Sequence, residues 1–379
     1  MPRKPASLLC VANFPAGTGY AWDFLEGLYA AASDALSASG VRALVVFPSV
    51  STVPRRLADS AAEVAPLQVE LGSVRSVLEL RRFIRRERVR ALYLTDRPAW
   101  HPVYLLLRLS GVRRIVVYDH TSGGRMRPTG LRRWLKRVSR RLPGDDRGPG
   151  AGGERFVGLI PSEMVETVRN SIAIPPEDPH GRKWLVEELA VSSERPILAC
   201  TARAARYKGV HILLEAFDRV LGERFAEGGR GRPLLVYVGD GPELENLKQL
   251  RDGLASRDDI LLTGYRPDAA RIAGNADLAI VPSVWQEAFG LAVLEPMAYG
   301  RPVVASAVGG IPEIVDNEST GLLGPPGDVG ALAQAVAWML EHPEEAREMG
   351  RRGRERARTY FDPETQLSRL VSALSEGFV

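Results

Sequence analysis

Two glutamates and the residues between them are the most chemically informative stretch of the chain. Glu287 and Glu295 are separated by seven residues, which include Phe289 and Gly290, and Pro296 follows directly. Carboxylates offer paired acceptors that suit sugar or ribose hydroxyls. Two solvated surface glutamates are the ordinary interpretation of such spacing, but the accompanying aromatic, glycine and proline favour a ligand site.

The pattern around this pair predicts a strand, a loop and a short helix in succession. Apolar residues 279–282 end a strand, 283–289 form a loop, and Gly290 opens a helix that ends before Pro302. We expect Pro296 in an early turn, where helical N–H groups have no intrahelical partner. The glutamates therefore flank a helix N-terminus at the carboxyl end of a parallel strand, where open α/β sheets bind ligands and free N–H groups attract anions.

This stretch resembles glycosyltransferase family 4, the retaining nucleotide-sugar transferases of the GT-B fold. The family pattern E-x-F-G-[LIF]-x-x-x-E is matched from Glu287 to Glu295, and A-x-G-x-P-V-[IV]-A is matched by residues 298–305. The resemblance implies that Glu295 binds the donor ribose. It also implies that Glu287, with backbone N–H groups near Phe289, Gly290 and Leu291, binds hydroxyls of the transferred sugar.

The same resemblance covers nearly the whole chain and is most specific over residues 200–325. The family segment G-R-x-x-x-x-K-G is matched by Arg203 and Lys208, although Ala202 stands where the first glycine is usual. These two cations would hold the diphosphate, because a leaving nucleoside diphosphate develops negative charge. Relatives hold the nucleotide base largely by backbone at the position of Tyr265.

Two further candidates follow predicted strands of the N-terminal half. Gly17 and Gly19 lie in a loop between an apolar run and a helix, an arrangement that binds phosphate or simply turns the chain. In the family the matching loop lies beside the donor diphosphate. His120 follows a strand that ends at Tyr118, where it could point into a cleft or fix its own loop, and the resemblance implies a position near the transferred sugar.

Composition and charge limit the remaining function classes. The net charge of +4 is too mild to indicate nucleic acid, and the two cysteines are expected to be buried thiols of a reducing compartment. No spacing among the histidines and cysteines indicates a metal site, and no apolar run approaches the ~18 residues of a membrane span. We therefore expect a cytoplasmic protein with no metal and no cofactor, whose substrate is a nucleoside-diphosphate sugar.

The alternation of apolar runs and helical stretches predicts an α/β protein with parallel sheets. The resemblance implies the GT-B fold, with two Rossmann-like doubly wound domains facing across a cleft. The acceptor-side domain would comprise residues 1–171 joined by a C-terminal helix over 362–379, and the donor-binding domain residues 172–361. The connection over 158–164 is shorter than in relatives, either by deletion or because residues are missing.

A basic amphipathic helix is predicted over residues 131–142. Six basic residues surround an apolar stripe that includes Trp134. Such a helix suits an anionic membrane surface, at the inner membrane face, or packs its stripe on the domain with the arginines in solvent. Both interpretations stay open, and with them the choice between a lipid-linked and a soluble acceptor.

We therefore expect a retaining transferase that moves a sugar from a nucleoside-diphosphate sugar to an acceptor hydroxyl. In such enzymes no carboxylate needs to act as a nucleophile. The alternatives are a non-catalytic nucleotide-sugar-binding protein and a sugar-nucleotide epimerase or hydrolase on the same fold. A nicotinamide-dependent dehydrogenase is disfavoured, because no G-x-G-x-x-G follows the first strand.

Overall fold

The computed structural model describes residues 5–16, 20–97, 101–118, 168–225 and 231–378. The chain divides into two compact units, one of Met1–Asn170 with Glu364–Val379 and one of Ser171–Pro363. The predictions for Gly17, Gly19, His120 and the segments 131–142 and 158–164 lie outside the described residues and stay predictions.

The first unit contains a parallel sheet of five strands in the order β3-β2-β1-β4-β5. The strands are β1 Ser7–Val11, β2 Arg42–Phe47, β3 Ala62–Pro66, β4 Val89–Thr95 and β5 Arg114–Tyr118. Its described helices are Tyr20–Ser37, Arg55–Ala58, Val74–Arg86, Val103–Arg108 and Pro363–Ser375. Because β1 lies between β2 and β4, the strand order reverses direction beside it, as in doubly wound sheets.

Both faces of this sheet are covered, because neighbouring side chains of a strand point to opposite faces. Leu8 and Cys10 of β1 belong to a core completed by Leu370 and Leu374 of the C-terminal helix. On the other face, Leu9 belongs to a core that is closed by the helices Val74–Arg86 and Val103–Arg108. The last helix of the chain is therefore part of the first unit.

The second unit contains a parallel sheet of six strands in the order β11-β10-β9-β6-β7-β8. The strands are β6 Ile197–Thr201, β7 Leu234–Val238, β8 Ile260–Leu262, β9 Leu278–Val281, β10 Val303–Ser306 and β11 Leu322–Gly324. Its described helices are Gly181–Glu188, Val210–Arg224, Leu244–Gly253, Ala269–Asn275, Leu291–Ala298, Ile311–Ile314, Val329–Glu341 and Pro343–Tyr360, and single 3₁₀ turns lie at Arg206–Lys208 and Arg257–Asp259.

Local signals account for several of these boundaries. Asp328 precedes the helix Val329–Glu341, and its carboxylate accepts a hydrogen bond from the backbone N–H of Ala331 at 2.9 Å. The left-handed backbone of Gly300, at φ +78°, follows the helix Leu291–Ala298. The α/β class with parallel sheets, predicted from the alternation of elements, is confirmed.

No helix in the described part of the chain is both long enough and apolar enough to cross a membrane.

Candidate functional site

The site forms at the point where the second sheet reverses its strand order. Strand β6 lies between β7 and β9, so the loops that follow β6 and β9 leave the same edge of the sheet side by side. The first of these loops carries Arg203 and Lys208, and the second carries Glu287. Ligands of open α/β sheets bind at this switch point, outside the carboxyl ends of the strands.

Lys208 and Glu287 are in direct contact across the switch point. The Lys208 Nζ donates to Glu287 Oε1 at 2.5 Å, and the two side chains keep only 24% and 19% of their exposure. The buried Ser283 Oγ donates to the same carboxylate oxygen at 2.6 Å. Two donors on one oxygen fix the rotamer of Glu287 and leave a partly buried carboxylate and ammonium at the sheet edge.

The two loops can approach this closely because the residue after Lys208 is a glycine. Gly209 has a left-handed backbone at φ +70°, and a Cβ there would lie 1.9 Å from the carbonyl oxygen of Pro282. The backbone N–H of Val284 donates to the carbonyl of Tyr207 at 3.0 Å. The glycine of the K-G pair therefore permits the contact between the loops after β6 and β9.

The backbone of Glu287 is held from a third loop, which follows β10. The N–H of Gly310 donates to the Glu287 carbonyl at 2.9 Å. A Cβ on Gly309, which has φ +57°, would lie 1.9 Å from that same carbonyl oxygen. The glycine turn after β10 is thus a close backbone approach that positions Glu287.

The helix after Glu287 begins where it was predicted, but Pro296 lies further along it than expected. Gly290, at φ +117°, precedes the helix Leu291–Ala298. Pro296 is the sixth residue of that helix, inside it, so the prediction of an early-turn position is wrong. The backbone N–H of Leu294 already donates to the carbonyl of Gly290 at 3.1 Å, so the helical hydrogen bonds begin before Pro296. Because proline has no N–H, one such hydrogen bond is missing near the end of this short helix.

Three further motif residues are Phe289, Glu295 and Leu291. Phe289 is buried and packs edge to face against Phe361, with ring centroids 5.6 Å apart, so its side chain supports the loop. Glu295 is half-buried on the helix Leu291–Ala298. Leu291 is the first residue of this helix and belongs to the turn whose N–H groups were predicted to face the sugar.

Arg203 follows β6, and its neighbours Ala202 and Ala204 donate to the carbonyls of Val238 and Asp240 at the end of β7. Its side chain is exposed and forms no hydrogen bond or ion pair with another described residue. Ala202, at the position where the family pattern has glycine, donates to the Val238 carbonyl at 3.2 Å and has no left-handed backbone. The alanine is therefore accommodated without strain, and Arg203 remains available at the sheet edge.

Close backbone contacts continue to the position predicted for the nucleotide base. A Cβ on Gly239 would lie 1.8 Å from the carbonyl oxygen of Ala202, and the Gly239 N–H donates to Gly264 at 2.9 Å. Tyr265 follows directly and is 70% exposed. The loops after β6, β7 and β8 thus lie in contact along one edge of the sheet.

Sequence reasoning identified Lys208 and Glu287 but missed Ser283. Ser283 is the second residue after β9, and its only signal was that a small polar residue follows an apolar strand. Within the described ranges, no group of three or more histidine, cysteine, aspartate or glutamate side chains is arranged to hold a metal ion.

The electrostatic influence of Lys208 reaches the core strand below it. Burial raises the pKa of the Cys200 thiol to about 12, and the positive charge of Lys208 opposes that rise. The ammonium therefore lies close enough to the carboxyl end of β6 to affect a buried residue there. A fixed positive charge in this place suits an anionic ligand at the switch point.

The region that contains these loops is similar to known proteins. The family model described as glycosyl transferases group 1 matches residues 183–356, which include the loops with Lys208 and Glu287. The N-acetyl-alpha-D-glucosaminyl L-malate synthase of Bacillus anthracis is 32% identical over 208 residues, or 55% of this chain. The match covers 52% of that relative, so the chain spans about half its length.

A second relative aligns over more of both chains, and a solved structure has the same fold. Anabaena Alr3699/HepE, solved in complex with UDP, superimposes with a TM-score of 0.76 at 20% identity and covers 98% of this chain and 100% of that one. The GDP-mannose-dependent alpha-(1-6)-phosphatidylinositol monomannoside mannosyltransferase of Mycolicibacterium smegmatis is 31% identical over 292 residues, covering 71% of this chain and 72% of the relative. With two Rossmann-like parallel-sheet units of the GT-B class and this extended match, the chain belongs to the group 1 glycosyltransferases.

Proposed function

We propose that the protein is a retaining glycosyltransferase of family 4, which moves a sugar from a nucleoside-diphosphate sugar to an acceptor hydroxyl. The observation that carries the proposal is the Lys208–Glu287 contact at the switch point of the second sheet. A cation for phosphate and a carboxylate for sugar hydroxyls are the two groups that such a donor needs at its reacting end.

In this proposal the donor lies along the carboxyl edge of the second sheet. Arg203 and Lys208 bind the diphosphate, and Glu295 accepts hydrogen bonds from the ribose. Glu287 and the backbone N–H groups at 289–291 bind the transferred sugar. The backbone around Tyr265 holds the base. The preceding residue, Gly264, accepts a hydrogen bond from the N–H of Gly239. In the first unit, Gly17 and Gly19 would lie beside the diphosphate and His120 near the transferred sugar.

The transfer itself needs positioning and charge stabilisation. The acceptor hydroxyl oxygen bonds to the anomeric carbon on the face from which the phosphate departs, and the bond from that carbon to the phosphate oxygen breaks. The departing phosphate takes the proton of the hydroxyl, so the products are a glycoside of retained configuration and a nucleoside diphosphate. Arg203 and Lys208 stabilise the charge that develops on the phosphate.

The named ligands of the relatives guide the choice of substrates. UDP and GDP-mannose appear in the names of a structural neighbour and of the mannosyltransferase relative, so UDP-sugars and GDP-sugars are the first donors to test. The relatives' names include malate and a phosphatidylinositol mannoside, which are a small-molecule and a lipid class of acceptor. Contact of residues 131–142 with an anionic membrane remains our prediction for the lipid class.

The test begins with thermal unfolding of the protein against a panel of nucleotide sugars, because a ligand of the folded state raises the unfolding temperature. With the best donor, release of nucleoside diphosphate is measured, and the anomeric configuration of the product is read by NMR. Arg203→Ala and Lys208→Ala should each lower turnover about a hundredfold, the usual cost of one charge-assisted donor. Arg347→Ala is the control, because Arg347 is an exposed arginine that pairs with Glu344 within its own helix, Pro343–Tyr360.

The same assay separates the alternative functions. An epimerase would convert the donor without releasing nucleoside diphosphate, and a hydrolase would release free sugar in place of a glycoside. A binding protein would be stabilised by the donor without turnover. A folded Arg203→Ala/Lys208→Ala variant that keeps near-normal turnover would contradict the proposed roles of the two cations.

A further inference from the structure

The first unit has several large aliphatic side chains that are exposed to solvent and are not part of its core. Among the described residues, the exposed large aliphatics all lie in this unit, and five of the six belong to two helices or the residue after one. They are Val74 at 78% exposure, Leu78 at 45%, Leu105 at 43%, Leu106 at 40% and Leu109 at 70%. We call these residues, with Arg81, Arg82 and Arg85, the leucine–arginine surface.

Helical geometry places these side chains on one side of each helix. In Val74–Arg86, the buried Val77, Leu80 and Ile84 face the sheet. Val74, Leu78, Arg81 and Arg85 recur at spacings of four, three and four and form a second stripe, in which Arg81 is half-buried and the other three are exposed. In Val103–Arg108, Tyr104 and Leu107 are buried, so the neighbouring leucines at 105, 106 and 109 point away from the core.

The two outward stripes are joined. Arg81 Nε donates to Ser110 Oγ at 2.9 Å, and that hydroxyl donates to the Leu106 carbonyl at 2.8 Å. The helices also share one core cluster on the same face of the sheet. The exposed leucines of the shorter helix therefore lie beside the arginines of the longer one and form a continuous surface.

The surface is strongly basic around its aliphatic centre. The helix Val74–Arg86 has five arginines and a single acid, Glu79, which pairs with Arg75 at 3.1 Å. Arg82 and Arg85 are exposed, and neither forms an ion pair with another residue in the described ranges. From Val103 to Arg113 the chain adds Arg108 and Arg113 and no acid, whereas the next arginine, Arg114, is buried and pairs with Glu376 at 2.9 Å.

We propose that the leucine–arginine surface binds an anionic lipid membrane. Exposed leucines beside unpaired arginines fit the boundary between acyl chains and anionic headgroups, where apolar area and positive charge both contribute. A nucleic acid would use the arginines but leave the leucines in water, whereas a lipid surface covers both. The inference uses only described residues, so it does not depend on the segment 131–142 or on which sugar is transferred.

Co-sedimentation with vesicles tests the proposal on the full chain. Vesicles of phosphatidylcholine alone are compared with vesicles that contain phosphatidylglycerol, at low and high salt. The wild type should bind the anionic vesicles preferentially, and high salt should weaken that binding. Arg82→Gln/Arg85→Gln should lower the partition coefficient roughly thirtyfold, since each basic residue near an anionic leaflet contributes about 1 kcal/mol.

Matched variants separate the apolar and the electrostatic contributions. Leu105→Ser/Leu109→Ser should reduce partitioning at least about tenfold, because a buried leucine contributes some 1.5–3 kcal/mol. The controls are Val53→Ser, an exposed valine of the same unit outside these helices, and Arg347→Gln/Arg358→Gln, which removes two charges from the second unit. Both controls should bind as the wild type does.

Three results would overturn the proposal. Wild type that ignores anionic vesicles at low salt has no such membrane surface. Binding that is lost in a variant of residues 131–142 but kept in both variants of the leucine–arginine surface belongs to the other segment. Binding to an anionic polynucleotide without binding to vesicles assigns the arginines to nucleic acid. Donor turnover with a soluble acceptor, measured in parallel, distinguishes these outcomes from failure of the proposed transferase function.

Discussion

At the scale of single residues, the contact between Lys208 and Glu287 changes how the two motifs should be understood. The family resemblance gave them separate partners, a diphosphate and a sugar. In the structure the Lys208 ammonium balances the Glu287 carboxylate at 2.5 Å, while Ser283 holds the same oxygen. Under the proposed function, an incoming diphosphate would compete with the Glu287 carboxylate for this cation, and we expect the two residues to be energetically coupled.

The coupling predicts an asymmetric effect on binding and turnover. Glu287→Gln keeps the shape of the side chain but removes the competing charge, so binding of free nucleoside diphosphate should stay equal or become tighter. Turnover should fall about a hundredfold, as for loss of one oriented electrostatic group. Lys208→Ala should weaken diphosphate binding. Calorimetry gives the affinities and a donor assay gives the rates.

The double variant completes a thermodynamic cycle, for which we expect a coupling energy of about 0.5–3 kcal/mol. Glu223→Gln is the matched control, because Glu223 pairs with Arg219 at 2.7 Å on the outer surface of a helix, and it should change neither quantity. A loss of diphosphate affinity in Glu287→Gln as large as that in Lys208→Ala would contradict the competition between phosphate and carboxylate.

At the scale of elements, the site depends on loops that touch through glycines. Gly209 and Gly40 have similar left-handed backbones, at φ +70° and +75°, but only Gly209 has a neighbouring carbonyl where a Cβ would lie. Both alanine variants should lose about 1–2 kcal/mol of unfolding free energy from the backbone conformation. Gly209→Ala should lose more and should also lose most turnover, because its methyl group separates the loops after β6 and β9.

Urea unfolding of both variants, with turnover measured on the folded protein, decides this prediction. Gly40→Ala is expected to keep normal turnover, since nothing lies within 4 Å of its added Cβ. Equal losses of stability and activity in the two variants would show that the backbone conformation alone matters and that the close approach to Pro282 does not.

At the scale of the whole molecule, each unit has one buried thiol in its central sheet. Cys10 lies in β1 and Cys200 in β6, and both are shielded from solvent. Burial raises the pKa of the Cys10 thiol above its usual range and that of Cys200 to about 12. Because the thiolate is the reactive form, neither cysteine should be alkylated at pH 8 while its unit is folded.

Variants that keep a single cysteine allow the unfolding of each unit to be measured separately. Cys200→Ala leaves Cys10 to report the first unit, and Cys10→Ala leaves Cys200 to report the second. Labelling with an alkylating reagent across a urea series should appear only at the unfolding transition of the corresponding unit. Stoichiometric labelling of either variant in native buffer, with the fully unfolded chain as the reference, would disprove the burial of that thiol.

The sequence determined the elements and the chemistry of their ends. Periodicity and capping predicted most helices and strands, because these signals act between residues close along the chain. The strand Ala62–Pro66 was not predicted, because its residues AEVAP form no apolar run and lie half-exposed at the sheet edge. The helix Leu291–Ala298 begins where it was predicted, but Pro296 is its sixth residue and therefore lies beyond the first turn, whose N–H groups have no intrahelical partner.

Which loops meet was decided by the tertiary structure alone. Strands β7 and β8 and their helices separate Lys208 from Glu287 along the chain, yet β6 pairs with β9 and brings the two side chains together. Motif spacing contains no information on that strand order, and Ser283 has no motif. Phe289 shows the same limit, since only its packing against Phe361 reveals a structural role. Residue types therefore determined what the site can bind, and long-range strand pairing determined which of those residues act together.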